Sequence, residues 1–317
     1  MYTIDKEAAR DRYGKTLIEI ARQDENVFAM DCDLGRSTRA FRITEADPER
    51  FIEMGIAEQD MISTAAGMAV EGRTVFVNSF AIFITGRSFD QIRQQVCLPN
   101  LNVKVCGSSS GITQGPDGAT HQSILDCSLM RSLPNMTVLV PADGNQTEQA
   151  VMAAYENPGP FYLRLSRYET EPLIPEDIKY ELGKAQILKK GSDILFISSG
   201  PVLKHVLEAS EELDNKGIST GIVNVHTLKP FDNERIISLS ENYPLIITVE
   251  EHSIIGGLGS AAAEAIAEGS GKARAQLFRL GVMDTFGESG TAEELLKKHS
   301  LDSGGIVQFA QKIQREL

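Results

Sequence analysis

Short runs of apolar residues, three to five long, recur along this chain at residues 27–30, 74–77, 103–105, 136–140 and 161–165, with helically spaced apolar positions between them. Each run is short and almost wholly apolar. A strand needs that composition only when both of its faces are covered, as in a parallel sheet. Strand-length runs alternating with helices predict an α/β doubly wound architecture. At 168–182 the character changes: Glu169, Glu171, Pro172, Pro175, Glu176 and Asp177 read as an extended, exposed linker. The alternation then resumes, with strands predicted at 194–198, 220–225, 245–249 and 276–280, helices at 202–216 and 258–268, and two closing helical segments. The expectation is two doubly wound, mostly parallel open sheets flanked by helices. The first domain is residues 1–180, including the linker from about 168, and the second is 181–317.

Charge narrows the partners. Against 31 basic residues stand 44 acidic ones, a net charge of −13, which disfavours nucleic acid and anionic membrane, whose phosphates attract basic surfaces. Cys32, Cys97, Cys106 and Cys127 form no CxxC and no zinc-type spacing, so buried free thiols in a reducing compartment are expected. No signal-peptide core and no bilayer-length apolar run are evident, and a soluble cytoplasmic protein is the expectation.

Open α/β sheets bind ligands outside the carboxyl ends of their strands. Ser37, the 79–83 loop, the 108–121 loop and Ser166-Arg167 all follow predicted strands, so these loops should rim one edge. Glu58 stands just after Gly55, at the start of a small-residue helix (Ala65, Ala66, Gly67, Met68, Ala69). Taken alone, it is a carboxylate that stabilises a helix start. Phe80 and Phe83 suit core packing or stacking on a flat ring equally well. His121, able to donate and accept hydrogen bonds, shares a glycine-bracketed loop with Asp117. The run Gly256-Gly257-Leu258-Gly259-Ser260 lacks GxGxxG or Walker spacing and reads as the start of a closely packed helix.

In order, Gly55-Ile56-Ala57-Glu58-Gln59, Ser79-Phe80-Ala81-Ile82-Phe83, Asp90-Gln91-Ile92-Arg93 and Asp117-Gly118-Ala119-Thr120-His121-Gln122 resemble the pyrimidine-binding domain of transketolase. Leu228-Lys229-Pro230-Phe231-Asp232 and Gly281-Val282-Met283-Asp284-Thr285-Phe286-Gly287 resemble that family's C-terminal domain, expected to be an interface element without a catalytic group. The resemblance implies that Glu58 faces the aminopyrimidine nitrogen of thiamine diphosphate and that Ile56 props the bent cofactor. It implies that Phe80 and Phe83 stack on the ring, and that Asp117 and His121 meet the donor sugar's hydroxyl and carbonyl groups. Glu58 and His121 are thus the catalytic candidates, and Arg10, Ser37 and Arg167 form the phosphate clamp, for which paired guanidinium groups and a hydroxyl are apt.

The chain departs from the family at two points. Gly86-Arg87 stands where a third aromatic is common, with Phe89 the nearest substitute, and Ser109 replaces a histidine of the clamp. Ala142-Asp143-Gly144-Asn145 lacks the Gly-Asp-Gly start and distant Asn of the site that holds Mg²⁺ or Ca²⁺ at the diphosphate. The chain therefore resembles the C-terminal subunit of a split transketolase, with no metal ligands of its own. The diphosphate and its metal would lie in an N-terminal partner chain, sugar phosphates would be the substrates, and a dimer of heterodimers is expected. The alternatives are a 1-deoxyxylulose-5-phosphate-synthase-like enzyme, a 2-oxoacid dehydrogenase β subunit and, from a different class, a non-catalytic partner subunit.

Overall fold

A computed structural model describes residues 6–269 and 275–316. The first half carries β1 (Glu7–Ala8), β2 (Val27–Asp31), β3 (Phe51–Glu53), β4 (Thr74–Phe80), β5 (Val103–Ser108), β6 (Thr137–Leu139), β7 (Phe161–Leu165) and β8 (Glu169–Thr170). The second carries β9 (Gln186–Lys189), β10 (Ile194–Ser199), β11 (Thr220–Asn224), β12 (Thr227–Lys229), β13 (Leu245–Ser253) and β14 (Gln276–Val282). They assemble a seven-stranded sheet, ordered β12-β6-β7-β5-β4-β2-β3, and a five-stranded sheet, ordered β14-β13-β10-β11-β9. All pairings among β2 to β7 are parallel, as are those among β10, β11, β13 and β14. β9 and β12 are antiparallel edges. The expected class, two mostly parallel α/β sheets flanked by helices, is the one observed.

Strand β4 shows why the apolar runs do not alternate. Successive strand side chains point to opposite faces. Val75 and Val77 enter a core with Met61, Ile62 and Ala65 of the helix Glu58–Val70, whereas Phe76 enters another with Tyr13 and Leu17 of the helix Ala9–Gln23. Both faces are buried, so successive residues 75–77 are all apolar. The glycine run at 256–260 is used for packing, as expected: a Cβ on Gly259 would lie 2.8 Å from Arg279 and from Thr248 Oγ1. All four cysteines are free and buried. Among the described residues no helix is long and apolar enough to cross a membrane.

Residues 228–232 are entered by β12, which pairs antiparallel with β6 and so lends the first sheet an edge from the second half. Two local expectations need correction. The 168–182 segment is not a free linker. β8 pairs with β1, Asp143 Oδ2 accepts from the amides of Leu173 (2.6 Å) and Ile174 (3.1 Å), and Tyr180 stacks on His226 at 4.1 Å. The 79–83 loop is the end of β4 followed at once by the helix Ala81–Arg87, so Phe83 sits on a helix. The partners in β12–β6 and β1–β8 lie far apart in sequence, and strands of two or three residues are too short to show a period.

Candidate active site

The strand ends define the site. Across the first sheet Asp31 aligns near Asn78, Phe80 with Ser108, and Ser108 with Leu165, so the segments that follow β2, β4, β5 and β7 emerge along one edge.

Glu58 is the first residue of its helix and is only 2 % exposed. Its Oε1 accepts from Ser79 Oγ at 3.1 Å and its Oε2 from Arg87 Nη1 at 3.0 Å. The Phe80 and Phe83 rings stack at 5.9 Å and 22°, and His121 meets them edge-on at 6.1 and 5.2 Å. His121 Nδ1 is taken by Thr120 Oγ1 at 2.9 Å, while Nε2 has no hydrogen-bond partner among the described residues. Ile56, two residues before Glu58, is 74 % exposed. Phe89 is not brought to the pair: it packs against the core that holds Met61, and makes no ring contact with Phe80 or Phe83. The guanidinium of Arg87 instead covers the Phe83 face, 4.6 Å from its centroid.

A second group gathers cations. Arg10 Nη1 donates to the Ser37 carbonyl at 3.2 Å, and the Arg10 amide reaches the Ser166 carbonyl at 3.4 Å. Arg10 Nε is buried with no partner. Burial, with the neighbouring charges of Arg39 and Arg167, pushes the Arg10 guanidinium below its usual range against the pull of Asp11. A buried, unpartnered donor among like charges is unfavourable until an anion joins it. Asp31 shapes the loop that presents Ser37, accepting from Leu34 N at 2.6 Å and Thr38 Oγ1 at 2.7 Å. Burial pushes that carboxyl up to about 7 despite the two hydrogen bonds.

The third group is the loop of Asp117. Gln114 Nε2 donates to Asp117 Oδ2 at 2.6 Å, and Gln114 Oε1 accepts from Arg167 Nη1 at 3.0 Å. Arg167 opens onto a cleft of about 650 Å³ shared by both halves of the chain, with Lys6, Lys204 and His205 on its walls. The second half braces this loop. Glu251 Oε1 accepts from Thr113 N at 2.6 Å, and Gln122 Nε2 donates to Gly115 O at 3.1 Å and Glu288 O at 2.8 Å. Gly111, at φ +79, must be glycine, since a Cβ there would lie 2.1 Å from Glu251 Oε1. Ser109 is fully buried at φ +55, and its Oγ has no partner.

Arg87, Ser79, Gln114 and Glu251 were not foreseen. Arg87 stands four residues after Phe83, a helical neighbour spacing that becomes visible only once 81–87 is known to be a helix.

A buried carboxylate beside stacked phenyl rings and an exposed Ile56 suits a flat nitrogen heterocycle such as an aminopyrimidine, provided Arg87 moves aside. In the 142–145 segment both carboxylate oxygens of Asp143 are already engaged. Asp143 Oδ1 caps a helix through Gln146 N at 2.8 Å, and its Oδ2 is taken by the Leu173 and Ile174 amides.

Two family models match the chain: transketolase, pyrimidine binding domain, over residues 5–172, and transketolase, C-terminal domain, over 183–306. A Methanocaldococcus jannaschii chain described as a transketolase C-terminal section is 43% identical over 310 residues, which is 97% of this chain and 96% of that one. The 6-deoxy-6-sulfo-D-fructose transketolase subunit of a Clostridium species is 39% identical over 304 residues, 96% of this chain and 94% of its own. A solved structure described as a split gene transketolase, inactive beta4 tetramer, is similar with a TM-score of 0.87 at 40% identity, covering 96% of this chain and 97% of the other.

Proposed function

Because this chain belongs to the transketolase family, we propose that it is the catalytic half of a two-chain, thiamine-diphosphate-dependent transketolase that moves a two-carbon ketol unit between sugar phosphates. The observation that carries the reading is the meeting of buried Glu58, the Phe80–Phe83 stack and His121 at the carboxyl edge of the first sheet. Matches along nearly the full length of subunit-type relatives support the two-chain form. We divide the chain into a pyrimidine-binding domain to about residue 180 and a C-terminal domain beyond it.

Thiamine diphosphate, when bound, supplies the carbon nucleophile that takes up and releases the ketol unit. In this reading Glu58 shares a proton with the ring nitrogen of the aminopyrimidine, and Ser79 Oγ steadies the other carboxylate oxygen. Phe80 and Phe83 take the ring face, Ile56 props the cofactor, and Arg87, not Phe89, is the group that lies over the Phe83 face until the ring enters. His121, held through Nδ1 by Thr120, offers Nε2 to the sugar's carbonyl and hydroxyl oxygens, and Asp117 accepts from a hydroxyl. Arg10, Ser37 and Arg167 bind the phosphate, which would satisfy the unpartnered Arg10 Nε. The diphosphate, and the Mg²⁺ or Ca²⁺ that holds it, fall to an N-terminal partner chain in a cytoplasmic dimer of heterodimers, with pentose phosphates as substrates.

The test is two-carbon transfer from xylulose 5-phosphate to ribose 5-phosphate with thiamine diphosphate and Mg²⁺, using this chain alone and with the chain encoded by the neighbouring gene. Activity only in the mixture is the expected result, and full activity from this chain alone would overturn the two-chain reading. An active mixture that ignores xylulose 5-phosphate but condenses pyruvate with glyceraldehyde 3-phosphate would move the assignment to a 1-deoxyxylulose-5-phosphate-synthase-like reaction.

A further inference from the structure

We propose that Gln114 is a positioning residue that holds Asp117 and Arg167 apart, and thereby sets how strongly the site prefers a phosphorylated sugar over its unphosphorylated counterpart. The inference rests on the reading of Asp117 and Arg167 as substrate groups.

Gln114 is fully buried, whereas Asp117 is exposed and Arg167 half-buried. Its amide has only one workable orientation. The NH₂ must face the carboxylate and the oxygen the guanidinium, because a guanidinium offers donors only and an ionised carboxylate acceptors only. In that orientation Gln114 bridges the two charges at 2.6 and 3.0 Å. Their direct separation, Arg167 Nη1 to Asp117 Oδ2, is 3.7 Å, longer than the roughly 2.7–2.9 Å of a formed charge-assisted hydrogen bond. The amide thus engages one atom of each charge and prevents the pair from closing. Asp117 Oδ1 and the remaining Arg167 nitrogens keep no hydrogen-bond partner among the described residues. Without the amide, opposite charges this close would collapse into a fork-to-fork pair, and both would withdraw from the substrate.

The bridge stands on a fixed base. Thr113 N is tied to Glu251, and Gly115 O to Gln122 Nε2, on either side of Gln114. Ordering of this kind, by a buried residue behind the contacting ones, is what holds a binding constellation to its geometry.

The experiment uses the assembled two-chain complex with xylulose 5-phosphate as donor and either ribose 5-phosphate or ribose as acceptor. It compares wild type with Gln114→Ala, Gln114→Glu, Arg167→Ala and the Gln114→Ala/Arg167→Ala double variant. Gln114→Ala should lower kcat/KM for ribose 5-phosphate roughly tenfold to a hundredfold, mainly through KM, and shrink the preference over ribose by a similar factor. In the double variant the second change should add no more than about twofold, because the two residues act as one unit. Gln114→Glu keeps an acceptor for Arg167 but sets a carboxylate against Asp117. That charged acceptor pairs with Arg167 and withdraws it from the phosphate, so the preference should shrink at least as far as in Gln114→Ala, whereas general damage to the loop would lower kcat/KM for ribose and ribose 5-phosphate alike. If Gln114→Ala misfolds, as judged by its melting curve and by complex formation, Gln114→Glu alone decides. A Gln114→Ala complex with wild-type preference, multiplicative losses in the double variant, or a Gln114→Glu complex that keeps the preference would each overturn the proposal while leaving the transketolase reading intact. A wild-type complex that transfers no two-carbon unit would overturn both.

Discussion

Arg87 covers Glu58: its Nη1 lies 3.0 Å from Glu58 Oε2 while its guanidinium spans the face of Phe83 at 4.6 Å. One flexible, half-exposed side chain therefore occupies both surfaces that a stacked, hydrogen-bonded ring would need. Release of a partly exposed ion pair and a cation–π contact costs about 1–2 kcal/mol together. Arg87→Ala should accordingly tighten thiamine diphosphate binding to the assembled complex, by roughly fivefold to thirtyfold at about 1.4 kcal/mol per decade. Calorimetric titration reads this directly, and weaker binding by the variant would instead make Arg87 a ligand of the cofactor.

Glu58→Gln keeps the size and one hydrogen-bond acceptor but cannot exchange a proton at the ring nitrogen. Turnover of the complex should fall about 10²–10⁴-fold, the usual contribution of a positioned acid–base group. Size-exclusion chromatography should show assembly unchanged. Wild-type turnover by this variant would remove Glu58 from the chemistry.

The junction between the halves contains a fully enclosed ion pair. Arg164 Nε meets Asp126 Oδ2 at 2.7 Å, Tyr162 donates to the same oxygen at 2.7 Å, and Arg164 Nη2 reaches across to the Glu251 carbonyl at 2.9 Å. Burial alone would raise the Asp126 carboxyl, but Arg164 and His252 outweigh it and hold it below the usual range. Arg164→Met strands that carboxylate, and the expected loss is about 3–5 kcal/mol. Urea unfolding checks it, and a variant within about 0.5 kcal/mol of wild type would show the pair to be dispensable.

His226 predicts an acid limit to stability. It is fully buried against Tyr180, and burial pushes its imidazole down to about 4. The folded protein thus resists a proton that the unfolded chain accepts near pH 6.5. The stabilising contribution is complete above about pH 6.5 and is lost as pH falls toward 4, by about 3 kcal/mol at most. Urea midpoints taken on either side of this window should diverge in wild type and converge in His226→Gln. Equal slopes in the two proteins would contradict the assignment.

The sheets could be read from residues such as Val75, Phe76 and Val77, because burial on both faces leaves a mark on every position of a strand. Glu58, Phe80, Phe83 and His121 could be nominated only through the family resemblance that their motifs carry. Their arrangement could not. Phe83 lies on a helix that the apolar run 79–83 conceals, and Arg87 comes into view only with that helix. Gln114 meets Asp117 within its own loop, but its other partner Arg167 is 53 residues away, and Glu251 reaches Thr113 across 138. Interactions of that span obey no sequence period, so the bracing of the Asp117 loop by the second half was invisible until the chain was folded.

The borrowed strand limits how this protein can be re-engineered. β12 belongs by sequence to the second half and by hydrogen bonding to the first sheet, where it covers β6. Cutting near residue 180 would leave β6 as a bare edge open to pairing with other chains. The halves are therefore not interchangeable cassettes. A chimera that imports a foreign second half must bring residues shaped to cover β6, or it will trade a folded subunit for an aggregating one.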